Sequence, residues 1–325
     1  MRYRQESLLK IINRKTFIRW LRRKAVDTRK RRSLTFILTT CLFIQTLVIF
    51  AEAVLTVDFS KQVRIGLTGI LETVCLSLVQ GLTEWFPVSS TGHLVIVQEL
   101  FNIKVSVAFD IVLHLGTLIG VAVFLRKDLQ SIVRTVFRLD FSGEEGRMLV
   151  YITLGTIPIG LAGFFLKSFF ESLFQSLFAT GVAMFLNGLI LYSTRRAKPV
   201  RKLSALDAFL IGFSQAAAIT PGISRTGITV STGLLRGVEY EEAYRFSLLL
   251  SIPSIIGGSL VKLQEISFEQ EFWMISLGVL VTAVVGYLAL GTVRSYVVKH
   301  SFHKFSYYCL ALGTIIILLS ILQIF

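Results

Sequence analysis

Apolar residues in this chain are gathered into runs that neither alternate nor keep to one helical face, and several runs approach the ~20 residues a helix needs to cross hydrocarbon. The pattern predicts crossings at 107–125, 148–166, 174–193, 246–262, 272–293 and 305–325. Two further apolar regions, 66–101 and 205–235, are interrupted midway by proline, glycine and clustered hydroxyl residues, and each half is short for a crossing. Backbone opened at that depth must be sheltered by protein or line a wet cavity. Both regions are therefore predicted to be re-entrant helix–turn–helix hairpins. The expected fold class is an all-α, polytopic membrane protein: about six core transmembrane helices, two hairpins and an N-terminal hydrophobic segment.

Composition agrees, with 53% of the 325 residues apolar and 17% charged, against roughly 25% charged in soluble domains. The net charge of +14 is concentrated at one end. Residues 1–33 hold 13 Lys or Arg against Glu6 and Asp27, which leaves +3 for everything else. This is the layout of a basic cytoplasmic tail ahead of a signal-like or anchor segment at 34–56, with a membrane domain over 66–325. No recognition motif accompanies the charge, so nucleic-acid binding is excluded. Cys41, Cys75 and Cys309 lie in apolar segments without paired spacing, which removes disulfide and zinc readings.

Loop charge orients the crossings. Arg126, Lys127, Arg134, Arg138 and Arg147 fall in one loop, Arg195, Arg196, Lys198, Arg201 and Lys202 in another, and Arg294, Lys299 and Lys304 in a third. All three are cytoplasmic by the positive-inside rule, provided that neither broken region crosses; the first hairpin then enters from outside and the second from the cytoplasm. An inverted repeat is expected, with halves at 66–193 and 203–325. Gln80 and Ser89–Gly92 lie without a gap over Gln215 and Ser224–Gly227, and Phe109 to His114 lie over Phe246 to Ser251. Broken segments at matching positions of inverted halves point to a site near the midplane.

The two breaks carry the chemistry. The first reads Gln80-Gly-Leu-Thr-Glu84-Trp-Phe-Pro87-Val-Ser89-Ser90-Thr91-Gly92-His93; the second reads Thr220-Pro221-Gly222-Ile-Ser224-Arg225-Thr226-Gly227-Ile-Thr229. An intramembrane arginine costs about 2.5–3.5 kcal/mol on insertion scales, which marks Arg225 as functional by default. An Arg225–Glu84 ion pair would explain the charges but not the hydroxyls. A phosphoryl group explains both, because guanidinium forks, hydroxyls and helix N-termini all suit its oxygens. Phosphoryl transfer then needs a nucleophile or an activated water, charge stabilisation and a proton source. His93 is a candidate nucleophile or general acid, Ser90 a candidate nucleophile with His93 as its base, and Glu84 a base or cation ligand with Gln80 one turn earlier. Ser89, Thr91, Gly92, Ser224, Thr226, Gly227 and Thr229 are candidate substrate contacts. Asp110 and His114, four residues apart, read either as a supporting polar pair or as a plain interhelical bond, and His300 and His303 as a solvated face.

Together Gln80-x3-Glu84, Pro-Val-Ser-Ser-Thr-Gly-His at 87–93, Phe109-Asp110, Leu115-Gly116 and Pro-Gly-Ile-Ser-Arg-Thr-Gly-Ile-Thr at 221–229 resemble the undecaprenyl-diphosphatases, or bacitracin-resistance proteins, from about residue 66 to the C-terminus. The resemblance implies an integral membrane phosphatase that converts undecaprenyl diphosphate to the monophosphate. It would thereby recycle the peptidoglycan carrier lipid and confer bacitracin resistance. It also implies a site open to the extracytoplasmic side of the plasma membrane, functional positions at Glu84, Ser90, His93 and Arg225, and activity supported by Mg²⁺ or Ca²⁺, with Glu84 and Gln80 as the ligands on offer. Polyprenyl diphosphate and membrane lipids are the implied partners, and a homodimer is compatible with the pattern. Gln80 stands where many members have glutamate, and Thr226 where serine is common. The main alternative function is a transporter or flippase of an anionic polyprenyl lipid, because inverted repeats with broken helices are typical of transporters. A fainter likeness of Ser90-Thr-Gly-His93 to the acid-phosphatase-like lipid phosphatases lacks that superfamily's other elements.

Overall fold

The structure, a computed structural model, describes residues 61–101, 107–138, 143–262 and 272–323. The expected tail and signal-like segment fall outside the described residues. Among those that are described there are twelve α-helices and no β-strand. In chain order they are α1 (Lys61–Thr83), α2 (Ser90–Phe101), α3 (Val107–Phe124), α4 (Arg126–Arg138), α5 (Glu144–Phe165), α6 (Lys167–Phe174), α7 (Leu177–Ser193), α8 (Ala205–Ala216), α9 (Arg225–Leu235), α10 (Tyr240–Lys262), α11 (Phe272–Val298) and α12 (Phe305–Ile321).

Five of these, α5, α7, α10, α11 and α12, are long and apolar enough to cross a membrane, and α3 with α4, bent by 83° at their junction, makes a sixth when the pair is counted as one span. The crossings follow the hydrophobic runs closely because a buried helix must be apolar all round, a signal that survives without periodicity. The outward faces confirm the solvent: Phe164, Phe165, Leu280 and Leu288 are all exposed on the bundle, tolerable only where lipid covers them. The two broken regions are helix–turn–helix pairs, α1 with α2 and α8 with α9. The first arm is longer than the sequence suggested, starting at Lys61 with its apolar part confined to Gly69–Thr83. Two further helices, α4 and α6, lie where only loops were expected.

Helices pack in intimate pairs, α12 along α7, α11 along α3 and α5 along α8. Lipid removes most of the hydrophobic drive for such contacts, so small residues that let backbones approach take over. The closest approach is Gly212 of α8 on Gly155 of α5, where a methyl group at Gly212 would stand 2.1 Å from the Gly155 carbonyl oxygen.

One end of the bundle is basic and tied together by ions. Arg201 and Arg236 both bind Asp207 at the start of α8, Arg245 of α10 holds Asp128 of α4 at 2.6 Å, and Arg294 of α11 pairs with Glu241 of α10. Tyr240 stacks on His300 at 3.9 Å between ring centroids. The Asp207 carboxyl is fully buried, and hydrogen bonds from Arg201, then from Ser204 and Arg236, hold it well below the usual carboxylate range.

Candidate active site

The turns of the two hairpins meet inside the bundle. Ser89 caps α2 in a left-handed conformation, φ +70°. Its hydroxyl accepts from the amides of Gly92 at 3.2 Å and of Gly222, on the other hairpin, at 3.1 Å. Its carbonyl accepts from Nδ1 of His93 at 2.7 Å. Strain in such a conformation persists only where the surroundings over-determine it, and here they do. Opposite, Ser224 caps α9 by accepting from Gly227 N at 3.1 Å, so Arg225 is the first residue of that helix just as Ser90 is the first of α2. Two helix N-termini, each with a positive partial charge and unused amides, thus converge on one place.

Between them lies a cavity of about 230 Å³. One wall is polar: Glu84, Ser89, Ser90, Thr91, His114, Ser224 and Arg225. The other is largely isoleucine, from Ile111, Ile159, Ile219, Ile223 and Ile255, with Ser254, Gly258 and Ser259 of α10 among them. Pro158 of α5 and Pro253 of α10 adjoin wall residues Ile159 and Ser254 in sequence; each removes a helical donor. Ile159 lies fifteen residues into α5 and Ser254 fourteen into α10. At 1.5 Å per residue both are roughly 20 Å from the basic end, so the cavity occupies the far half of the bundle.

Glu84 is the hub. Its Oε1 accepts from Arg225 Nη2, and its Oε2 accepts from Ser90 Oγ at 2.7 Å and from Gln80 Nε2 at 3.0 Å. His114 Nε2 stands 3.9 Å from the same oxygen, its ring aimed by a 2.8 Å bond from Nδ1 to the Asp110 carbonyl. Arg225 also lies over the indole of Trp85, 5.1 Å from the ring centroid. Its other terminal nitrogen, Nη1, is buried without a hydrogen-bond partner among the described residues. An unpaired guanidinium donor at the wall of a cavity costs free energy unless an anion meets it.

The remaining predicted residues are placed differently. His93 is not on the cavity wall. Because its Nδ1 faces a carbonyl it carries the proton there, which leaves Nε2 as acceptor for the Tyr308 hydroxyl of α12 at 2.7 Å. Thr226 donates to the Glu84 carbonyl at 3.4 Å, and Thr229 binds the Arg225 carbonyl and Ser247 Oγ, each at 2.7 Å. Gly92 and Gly227 are packed within the hairpin contact, Gly92 against Gly222 and Gly227 against Asn187. These residues hold the two turns in register, away from the cavity.

Two residues of this framework had no place in the sequence reading. Asn187, fully buried on α7, donates to the Pro87 carbonyl at 2.9 Å and accepts from Ser224 N at 3.1 Å, so it pins both turns at once. Tyr308 secures His93. An amide in mid-crossing is the signal that marks Asn187, whereas Tyr308 is indistinguishable from an ordinary aromatic near a helix end.

An all-α membrane protein whose paired helix N-termini, arginine and hydroxyls enclose a cavity belongs to the class of integral membrane proteins equipped for a phosphorylated lipid. Comparison with known proteins narrows this. Residues 73–315 match the family profile described as Bacitracin resistance protein BacA. The chain is 39% identical over 257 residues to the undecaprenyl-diphosphatase of Desulforudis audaxviator, covering 78% of this chain and 98% of that one. It is 37% identical over 269 residues to that of Rubrobacter xylanophilus, covering 78% and 99%. It is 36% identical over 275 residues to that of Methanobrevibacter smithii, covering 79% and 99%. The chain is a member of the BacA family.

Proposed function

We propose that this protein is an undecaprenyl-diphosphatase, hydrolysing the terminal phosphate from undecaprenyl diphosphate to recycle the cell-wall carrier lipid. Bacitracin resistance follows, since the antibiotic's target is consumed. Membership in the BacA family and the names of its relatives support the reaction; the observation that carries the mechanism is Glu84, bonded to both the Ser90 hydroxyl and Arg225 at the edge of the cavity.

In this mechanism the terminal phosphoryl group sits between the N-termini of α2 and α9, its oxygens on Arg225 Nη1 and on the free amides. Ser90 Oγ attacks phosphorus and gives its proton to Glu84, while the bond from phosphorus to the bridging oxygen breaks and the prenyl monophosphate leaves. Water then attacks the phosphoserine, and Glu84 returns a proton to Ser90 as inorganic phosphate departs. His114, with Nε2 3.9 Å from Glu84 Oε2, borders the same carboxylate on the cavity wall. His93 supports the turn through Ser89. The isoleucine wall takes the first isoprene units.

A divalent cation fits this site in a limited way. Among the described residues no three metal-ligating side chains cluster, but Gln80 Oε1 is buried without a partner beside Glu84. Glu84 with Gln80 would hold Mg²⁺ or Ca²⁺ by two oxygens, and diphosphate and water would supply the rest of the six or more that such ions take. The ion would neutralise charge on the diphosphate. The cavity's distance from the basic end supports a site on the extracytoplasmic side of the plasma membrane, because basic loops face the cytoplasm.

The test is phosphate release from farnesyl or undecaprenyl diphosphate by purified protein. Ser90→Ala and Glu84→Gln are each expected to lower turnover by roughly 10²–10⁴-fold, the usual worth of a positioned nucleophile and base. Turnover of Ser90→Ala within a few-fold of wild type would refute the nucleophile, and transport of intact lipid without phosphate release would refute the reaction.

A further inference from the structure

Helix α4 is used neither by the crossings nor by the cavity. It leaves α3 after one residue, Leu125, and turns through 83°. Because α3 packs along α11, one of the five crossing-length helices, α4, turned away from α3 by 83°, lies near the bilayer plane, at the basic end of the bundle. At about 100° per residue its side chains fall into three sectors roughly a third of a turn apart. The first faces the protein: Ile132 is buried, and Asp128 is held by Arg245 of α10 at 2.6 Å. The second is apolar and open, with Val133, Val136 and Phe137 exposed to 50, 43 and 84%. The third is basic and open, with Lys127, Arg134 and Arg138 all exposed. Arg126, at the first position on the apolar edge, has a stem long enough to carry its charge back to the polar side. Asp128, the helix's one acid, is already spent on Arg245, so the two open sectors carry only positive charge.

We propose that α4 is a membrane-surface helix. Its Val133, Val136 and Phe137 edge enters the acyl boundary of an anionic leaflet, while Lys127, Arg134 and Arg138 bind lipid headgroup phosphates. Three arguments choose lipid over a protein partner. The helix continues directly from a crossing, it lies across that crossing's axis, and its apolar and basic sectors are ordered as the acyl layer and headgroups are ordered. The Asp128–Arg245 bond couples α4 to α10, which carries Ser254, Ile255 and Gly258 of the cavity wall.

The experiment uses the full chain with Cys41→Ser, reconstituted in vesicles of phosphatidylcholine with or without phosphatidylglycerol. An environment-sensitive fluorophore is placed by Phe137→Cys or, separately, by Lys127→Cys; Cys75 and Cys309 are buried. The label at 137 is expected to be quenched by a nitroxide on the lipid acyl chain and protected from aqueous iodide, and the label at 127 to show the reverse. Phosphatidylglycerol should gather around the helix by roughly fivefold for each basic side chain engaged. This enrichment, read as energy transfer from the label at 137 to a fluorescent phosphatidylglycerol, should vanish in Lys127→Gln/Arg134→Gln/Arg138→Gln. Equal iodide quenching at both positions would overturn the proposal. So would a label at 137 shielded from iodide and nitroxide alike, the signature of a second copy or another protein. Enrichment unchanged in the triple variant would overturn the headgroup assignment.

Discussion

Replacing Asn187 by leucine tests whether the site is assembled by a residue that never touches substrate. The side chain lies on α7, fully buried, and its orientation is forced: the Ser224 amide needs an acceptor and the Pro87 carbonyl a donor. Leucine is similar in volume but supplies neither. The Pro87 carbonyl keeps a weak bond from the Cys309 thiol at 3.4 Å, whereas the Ser224 N–H is left buried and unpaired. One stranded donor and one weakened acceptor together are worth about 2–4 kcal/mol in a dry interior. The consequence for chemistry is larger than for folding, because Pro87 lies three residues from Ser90 and Ser224 adjoins Arg225. A displacement near 1 Å between nucleophile and phosphate clamp costs on the order of 10²-fold. The assay is phosphate release from a prenyl diphosphate, with kcat and KM separated, alongside thermal unfolding in the same detergent. Asn187→Leu is expected to lower kcat about 10²-fold while the protein stays folded below its melting temperature. Cys309→Ala, which removes only two weak thiol contacts, one to the Pro87 carbonyl and one from Asn187 Nδ2, each at 3.4 Å, should keep kcat close to wild type. A folded Asn187→Leu protein with wild-type kcat and KM would show that the turns hold their register without the clamp.

Other expectations bear on neighbouring links. Tyr308→Phe strips His93 Nε2 of its donor but leaves Nδ1 on Ser89, so phosphate release should fall less than about tenfold; a loss of 10²-fold or more would mean that His93 exchanges a proton with the reacting groups. Gly222→Ala should fail to fold or lose most of its stability. That residue has φ +101°, and a Cβ there would meet the Thr180 carbonyl oxygen at 2.4 Å; normal melting with normal activity would contradict the packing. Asp207 should contribute a pH-dependent term to stability. Its folded pKa lies below the unfolded value of about 3.9, so the contribution is complete above that pH and is lost as pH falls through the folded value. Asp207→Asn should therefore lower the melting temperature at pH 7, and the gap to wild type should narrow only below about pH 4. A gap that narrows between pH 5 and 7 would exclude the assignment.

The crossings were legible in the sequence because lipid imposes a rule that needs no partner: an apolar run of sufficient length crosses. Both interrupted regions were legible for the converse reason, since hydroxyls, prolines and charges in such runs must be sheltered. The pairing of Glu84 with Arg225 could be weighed from composition at depth alone. Helix α4 was missed because its apolar positions were read as part of a basic loop, although they recur at helical spacing.

Roles within the motifs were another matter. Ser89, Ser90 and Thr91 are chemically alike in sequence, yet φ +70° at Ser89 spends its hydroxyl on two amides and leaves that of Ser90 for Glu84. The sequence offered His93 as a catalytic candidate and His114 as part of a supporting pair; rotation about each helix axis puts the ring of His114, and not that of His93, on the cavity wall. The motifs by themselves determined that this is a multi-pass membrane protein of the BacA family with charged and hydroxyl side chains gathered in two interrupted apolar regions. Only the tertiary structure decided which hydroxyl meets Glu84, which imidazole lines the cavity and that Asn187 and Tyr308 hold the frame. Hydrogen-bond partners such as Asn187 with Pro87 and Tyr308 with His93, a hundred or more residues apart, are set by helix packing, which local sequence does not encode.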